Sequence, residues 1–111
     1  MANAFKNAGT AATGTALTDA YTAGSGITAT VIGLTCANIS STNPILVSIK
    51  FYDASANANY FVVKDAQIYT GGALVAVGGD QKLVLEAGDK IKVISNTAAS
   101  IDTIVSVMEQ S

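Results

Sequence analysis

Apolar and polar positions alternate along most of the chain after residue 26, which is the pattern of β-strands that bury one face. In the segment 45–52, one set of alternate positions is wholly apolar: Ile45, Val47, Ile49 and Phe51. A second alternating run occupies 60–65, after a loop of small polar residues at 53–59. We therefore predict a hairpin that spans residues 45–64.

Gly33 lies within a long β-branched run at 27–39, and the apolar phase changes beside it. The apolar residues change from the phase of Ile27, Ala29 and Val31 to the phase of Ile32, Leu34 and Cys36. A phase change at a glycine predicts a bulge within one strand. The polar segment 40–44 ends with Pro44, which is excluded from a central strand, so we predict a break there.

The remainder of the chain predicts short strands separated by turns. We predict strands at 67–69, 73–77, 82–86, 90–95 and 101–108, with turns at 71–72, 78–80, 87–89 and 96–100. Gly88 is expected to form a tight reversal between the strands at 82–86 and 90–95. No helical stripe is evident. The fold class is therefore all-β: a single-domain antiparallel β-sandwich or jelly roll of about seven or eight strands.

Residues 1–26 differ from the rest because Ala, Thr and Gly dominate them and bulky anchors are few. Such a segment offers little apolar surface to bury, so we predict an extended N-terminal arm outside the sandwich. Two alternatives stay open: a floppy end, or an arm that orders against a neighbouring subunit. The predicted organisation is thus an arm at 1–26 and a β-sandwich domain at 27–111.

The composition excludes several kinds of chemistry. The chain has 111 residues, no His and a net charge of −2. Without His there is no base that titrates near neutrality, and the sequence also lacks Arg, the usual clamp for phosphate. The mild acidity argues against a nucleic-acid binder, which needs a concentrated basic surface. No apolar run is long enough for a membrane-spanning helix.

Cys36 is the single cysteine, so an intramolecular disulfide is impossible. Its apolar surroundings predict a buried thiol, and it has no neighbouring His or Arg to make it reactive. Most acidic residues fall in or beside predicted turns, where a carboxylate caps the backbone: Asp53, Asp65, Asp80, Asp89 and Asp102. Their spacing does not match a calcium-binding loop.

The glycine pairs at 71–72 and 78–79 precede no helix, so they predict turns and not a phosphate site. Lys82, Lys90 and Lys92 fall in one predicted hairpin together with Glu86 and Asp89, which indicates a solvated, charge-balanced edge. We therefore assign no catalytic, cofactor-binding or metal-binding residue, and we expect no cofactor and no enzymatic activity.

The low charge also has a consequence for assembly. Charged residues make up 13% of the chain, whereas globular proteins average about 25%. A monomer of this size normally displays more charge to stay soluble. Small uncharged side chains suit surfaces that other subunits cover, so we expect a stable assembly with its edges paired.

Three segments in the last third of the chain form a recognisable pattern: LVLEAGDKIKV at 83–93, NTAA at 96–99 and IVSVME at 104–109. In these segments the chain resembles small virion structural proteins of tailed bacteriophages. VKDAQI at 63–68 and the glycine pair at 71–72 fit the same pattern, so the resemblance spans residues 45–111.

This resemblance implies a β-sandwich or jelly-roll module that acts as a capsid cement or decoration protein. It would bridge and stabilise major capsid protein subunits as a homotrimer or other oligomer, with no nucleic acid or membrane partner. The implied location is the virion, on the capsid exterior, after synthesis in the host cytoplasm. One alternative is a neck, tail or fibre component with Tyr52, Tyr60 and Tyr69 as contact residues. Another is a carbohydrate-binding or small-ligand module, against which the absence of Trp counts.

Overall fold

In the computed structural model, which describes residues 2–40 and 43–111, the chain forms nine β-strands and no helix. The strands are β1 (Asn3–Thr13), β2 (Thr18–Thr22), β3 (Thr28–Asn38), β4 (Ile45–Asp53), β5 (Ala58–Ile68), β6 (Ala73–Val77), β7 (Leu83–Leu85), β8 (Lys90–Ser95) and β9 (Ile101–Gln110). The predicted strands at 73–77 and 90–95 coincide with β6 and β8.

Two antiparallel sheets pack face to face. Sheet A has the order β1-β9-β3, and the far side of β3 pairs with β6 along one half and β7 along the other. Sheet B has the order β2-β8-β4-β5. All the pairings are antiparallel. The predicted all-β antiparallel sandwich is confirmed.

The core lies between the two sheets and consists of alternate residues from both. Its largest fully buried side chains are Leu34, Ile45, Ile49, Leu85, Ile91 and Ile101. The alternation at 45–52 predicted the buried face of β4 correctly up to Ile49, while Phe51 is partly exposed. Each fully buried aliphatic side chain of this size stabilises the fold by about 1.5–3 kcal/mol, so this layer holds the sheets together.

The segment predicted as an arm contributes strands to both sheets. β1 pairs with β9 without interruption from Asn3 to Thr10, and β2 pairs with β8. Most β1 side chains are exposed, so backbone hydrogen bonds and not side-chain burial hold this strand. That the segment orders on a neighbouring subunit stays a prediction. Met1, and Ser41 and Thr42 of the predicted break, lie outside the described residues.

The register of the paired strands tests three of the predictions made from the sequence. The β4–β5 hairpin is confirmed, and the bulge at Gly33 is confirmed by a register shift between Val31 and Gly33. The short strand predicted at 67–69 is instead the end of β5, which continues through a bulge at Asp65. The Ser48 hydroxyl accepts a hydrogen bond from the Asp65 N–H at 2.9 Å, which stabilises this bulge.

The hairpin predicted around Gly88 is wrong. β7 pairs with β3 in sheet A, whereas β8 lies between β2 and β4 in sheet B, so the turn crosses from one sheet to the other. The tight turn itself is present, with Gly88 at φ 89°. Leu85 and Ile91, on either side of the turn, are both fully buried in the core between the sheets. The lysines of β8 therefore lie on a central strand and not on an edge.

Candidate assembly surface

The outward side of sheet A, called here the A face, is built from strand positions that alternate with the core. Residues directly opposite in an antiparallel pair lie on the same face. One row across the sheet runs from Phe5 to Met108, Thr30 and Val84. A second row runs from Gly9 to Ile104, Thr35 and Val75. The A face thus brings together residues of five strands, with large apolar side chains from β1, β9, β6 and β7 and threonines from β3.

The large apolar side chains of the A face are exposed. The exposed fractions are 73% for Phe5, 64% for Val75, 58% for Val84 and 53% for Ile104. Among the described outward positions of sheet A, Asp102 is the one charged residue, at one end of β9. Exposed apolar side chains gathered on one face make that face a candidate site of contact with another molecule. The sequence contained the signal, because β6 and β7 are apolar at both strand phases.

The outward side of sheet B, called here the B face, is basic. Lys50 lies directly opposite Lys92, whose ammonium group is 3.7 Å from Asp19. Lys50 also lies over the Phe61 ring, 4.9 Å from its centroid. Lys64 reaches the same ring from 5.5 Å. Lys90 and Lys92 share this face, whereas Lys82 lies in the turn before β7. The B face therefore carries positive charge, whereas the A face is nearly uncharged.

The three tyrosines considered as contact residues do not form one platform. Tyr52 lies opposite Asn59 and its ring is beside Lys92 on the B face. Tyr60 lies opposite Phe51, on the other side of the sheet, with the two ring centroids 6.4 Å apart. Tyr69 is exposed beyond the end of β5. A flat aromatic site for a sugar ring would need these side chains on one surface.

Most of the predicted turn carboxylates cap backbone groups. Asp89 accepts hydrogen bonds from the N–H groups of Ala54 and Glu86, both at 2.9 Å. Asp53 accepts a hydrogen bond from the Ser55 N–H at 3.1 Å, and Asp102 accepts one from the Ala12 N–H at 2.9 Å. Asp65 sits at the β5 bulge, and Asp80 in the turn closed by Gln81 N–H and the Gly78 carbonyl. The described residues hold no cluster of three potential metal ligands.

Glu109 links the two sheets at the edge where β1 and β2 lie. Its carboxylate accepts a hydrogen bond from the Tyr21 hydroxyl at 2.5 Å and forms an ion pair with Lys6 at 3.0 Å. The hydrogen bond from Tyr21 lowers the pKa of Glu109 most, and the contact with Lys6 lowers it further. Burial and the adjacent carboxylate raise the pKa of Tyr21 well above its ordinary value. The charged carboxylate and the neutral phenol therefore favour each other, which connects β2 to β9 and β1.

A cleft of about 520 Å³ lies at the end of the sandwich that contains the Gly88 turn. It is lined by residues 26–28, by Ser55 and by Glu86, Ala87 and Asp89. Both oxygens of Asp89 already accept backbone hydrogen bonds, which leaves the Glu86 carboxylate as the uncommitted acid of the lining. The absence of enzymatic activity stays a prediction.

In the part of the chain that the structure describes, no helix has the length and apolar character to span a bilayer.

Cys36 lies on β3 and is fully buried in the core. Its sulfur is 3.5 Å from the Thr103 hydroxyl oxygen. Burial raises the pKa of the Cys36 thiol, and the contact with Thr103 offsets this only in part. The thiolate is the reactive form of cysteine, and a raised pKa leaves less of it. This placement therefore fits the prediction of a buried and unreactive thiol.

We expect Cys36 to react with a soluble thiol reagent at least about a hundredfold more slowly in the folded protein than in guanidinium chloride, because the core must open first. The measurement is the rate of release of the reagent's chromophore under both conditions. As a control, a free thiol peptide should react at similar rates in both solutions. Equal rates for the protein would contradict the buried position.

Comparisons with known proteins place the fold but not a family. No family model matches the chain, and a search of curated proteins finds no match. A solved structure from work entitled "Bacillus endospore appendages form a novel family of disulfide-linked pili" aligns over 99% of this chain and 87% of its own. The TM-score is 0.52 and the sequence identity is 13%. The fold of this chain therefore resembles that of a pilus structural protein.

Proposed function

We propose that this protein is a non-enzymatic structural subunit that assembles with copies of itself and covers its A face in a larger particle. The observation that carries the proposal is the set of exposed apolar residues on that face, with Asp102 as its one charge among the described positions. Burying such a surface costs little desolvation of charge and gains about 25 cal/mol per Å². The fold likeness to a pilus protein supports a structural role.

In its specific form, the proposal is a cement protein on the exterior of a tailed-phage capsid. The resemblance of residues 45–111 to small virion proteins supports this setting, with the A face against the major capsid protein. The basic B face would then point away from the shell, where solvent hydrates its lysines. A position in the neck or tail would use the same surfaces at a lower copy number.

A second candidate is a subunit of a cell-surface or spore-surface appendage, favoured by the likeness to the Bacillus endospore pilus structure. Those pili are described as disulfide-linked. In this chain the single cysteine is fully buried in the core. A filament of this protein would therefore depend on non-covalent contacts between subunits, and boiling in detergent without reductant would dissolve it into monomers.

The test is the copy number of the chain in purified particles, measured by quantitative mass spectrometry. A copy number close to that of the major shell protein, or a simple fraction of it, supports cement. A far lower number supports the neck or tail. Recovery in sheared filaments free of shell protein supports the appendage. Absence from both preparations would overturn the proposal.

The contribution of the A face is tested by Ile104→Lys, whose side chain is exposed and so should leave the fold intact. We expect incorporation into particles to fall at least about tenfold, because the interface would bury an unpaired charge. The matched control is Leu46→Lys on the B face, where the side chain is 38% exposed. Equal incorporation of both variants would show that the A face is not the contact.

A further inference from the structure

The four edges of the two sheets differ in how well they are protected against pairing with another strand. An open edge presents unpaired N–H and C=O groups to any strand that approaches, and charges, bulges or shortness block such pairing. β2 has five residues, a register shift and the charge of Asp19. β5 has two register shifts and carries Lys64 and Asp65. The side of β6 and β7 is divided by the turn that contains Lys82.

β1 has none of these protections along most of its length. It has 11 residues, and its register with β9 is continuous from Asn3 to Thr10. Its one charge, Lys6, is already paired with Glu109 on the core side of the sheet. An open, regular and nearly uncharged edge of this length is rare in a protein that remains alone.

The hydrogen-bond pattern identifies which groups of β1 are free. Ala2 and Ser111 exchange both backbone hydrogen bonds, at 3.3 and 3.0 Å. Bonded and non-bonded pairs alternate along an antiparallel ladder, so the even-numbered residues of β1 bond to β9. The N–H and C=O groups of Asn3, Phe5, Asn7 and Gly9 therefore point outward from the edge. The side chains of these residues lie on the A face.

Neither the backbone conformation nor the packing within the single chain requires a glycine at position 9. Its φ is not positive, and a Cβ added there would meet nothing within 4 Å. A glycine inside a strand weakens it and often marks close approach by another molecule. Four positions away on the same edge, Phe5 exposes 73% of its surface, the largest fraction among the exposed large apolar residues. The open space above Gly9 and the exposed ring of Phe5 thus lie on the same edge of sheet A and on the same face, the A face.

From these observations we propose that β1 pairs antiparallel with β1 of a second copy, about a two-fold axis at Asn7, so that each Phe5 covers the Gly9 of its partner. In this register the outward residues oppose one another: Phe5 with Gly9, Asn7 with Asn7 and Gly9 with Phe5. These pairs add about six backbone hydrogen bonds. An aromatic ring over a cross-strand glycine is a recognised stabilising pair in sheets.

Charge and edge length favour this arrangement over its alternative. Lys6 would lie opposite Ala8 of the partner, so the two lysines do not oppose each other directly. Head-to-tail pairing of β1 with the other edge of sheet A would use only the five residues of β6 before the chain turns away. Two copies joined through β1 instead form one continuous sheet whose A faces are contiguous. This inference rests on the proposed self-assembly and names its partner.

The first test is disulfide trapping in the full chain. Asn7→Cys places two thiols on the axis, where bonded antiparallel residues have Cα atoms about 5.5 Å apart, within disulfide range. Because Cys36 is buried, the new thiol is the accessible one. We expect Asn7→Cys to form a covalent dimer on mild oxidation. The matched variant Asn3→Cys should stay monomeric, because its two thiols lie at opposite ends of the paired strands.

The second test is the mass of the unmodified chain and its variants by sedimentation velocity over a range of concentrations. We expect a monomer–dimer equilibrium, and Gly9→Val should weaken it at least about tenfold by filling the space of the partner's Phe5. The Gly9→Val monomer should remain folded, because β-branched residues favour strands. Asn7→Ala serves as the control and should dimerise almost normally.

The outcomes separate this inference from the proposed function. A chain that stays monomeric at high concentration and does not cross-link through Asn7→Cys overturns the β1 pairing, even if it is abundant in particles. Equal cross-linking of Asn3→Cys and Asn7→Cys, or an open-ended series of oligomers, overturns the register. A trapped dimer absent from all particles supports the pairing and contradicts the proposed function.

Discussion

Asp89→Ala is expected to lower the free energy of unfolding by about 3 kcal/mol, because it leaves two partly buried backbone donors without their acceptors. Asp89 is only 3% exposed, and each carboxylate oxygen accepts one N–H, from Ala54 after β4 and from Glu86 after β7. Hydrogen bonds to a charged group contribute about 1.5–3 kcal/mol each, and removing the buried charge offsets part of the loss. The measurement is urea denaturation at neutral pH.

Two further variants make this result specific. Asp80→Ala changes a carboxylate in the exposed turn after β6, and it should shift stability by less than about 0.5 kcal/mol. Asp89→Asn should recover about half of the loss, because one oxygen can still accept while the new NH₂ group faces a second donor. If Asp80→Ala and Asp89→Ala were equally destabilising, Asp89 would not connect these loops.

Leu34→Ala is expected to cost about 3–4 kcal/mol through the cavity it leaves in the core. Leu34 is fully buried on β3, opposite Val105 of β9 and Val77 of β6, so it faces sheet B from the middle of sheet A. The change in the denaturation midpoint, at an unchanged dependence on urea, measures the loss.

The control for this variant is Leu46→Ala on the B face, where the side chain is 38% exposed and less transfer free energy is lost. We expect its cost to stay below about 1 kcal/mol. A cost for Leu34→Ala as small as that of the control would contradict a packed interface between the sheets at this position.

The alternation of apolar and polar residues predicted the strands that bury one face. It did not predict β1, which is a strand because its backbone pairs with β9. β8 alternates cleanly, and β4 buries Ile45, Val47 and Ile49, because one side of each strand meets the core. β1 shows no alternation, since its side chains are mostly exposed and its order depends on a partner at the other end of the sequence. Nothing near Asn3 in the sequence indicates that Gln110 lies opposite it.

The Gly88 turn shows the same limit in another form. Its residues predict a sharp reversal, and the reversal is present, but a turn does not determine whether its two flanking strands pair with each other. The proposed assembly surface was only partly predictable. Low charge favoured a surface covered by other subunits, whereas the position of the proposed surface depended on which outward residues of β1, β9, β3, β6 and β7 become neighbours.

The place of β9 between β1 and β3 has a consequence for the order of events during synthesis. β9 is translated after both of its partners, so sheet A cannot close while the ribosome is still making the preceding segments. Pairing over such a sequence separation is also slow, since much of the chain must close into a loop first. A nascent chain therefore carries neither a complete A face nor a fixed β1 edge, so the proposed contacts between copies cannot form on a polysome until translation has passed β9.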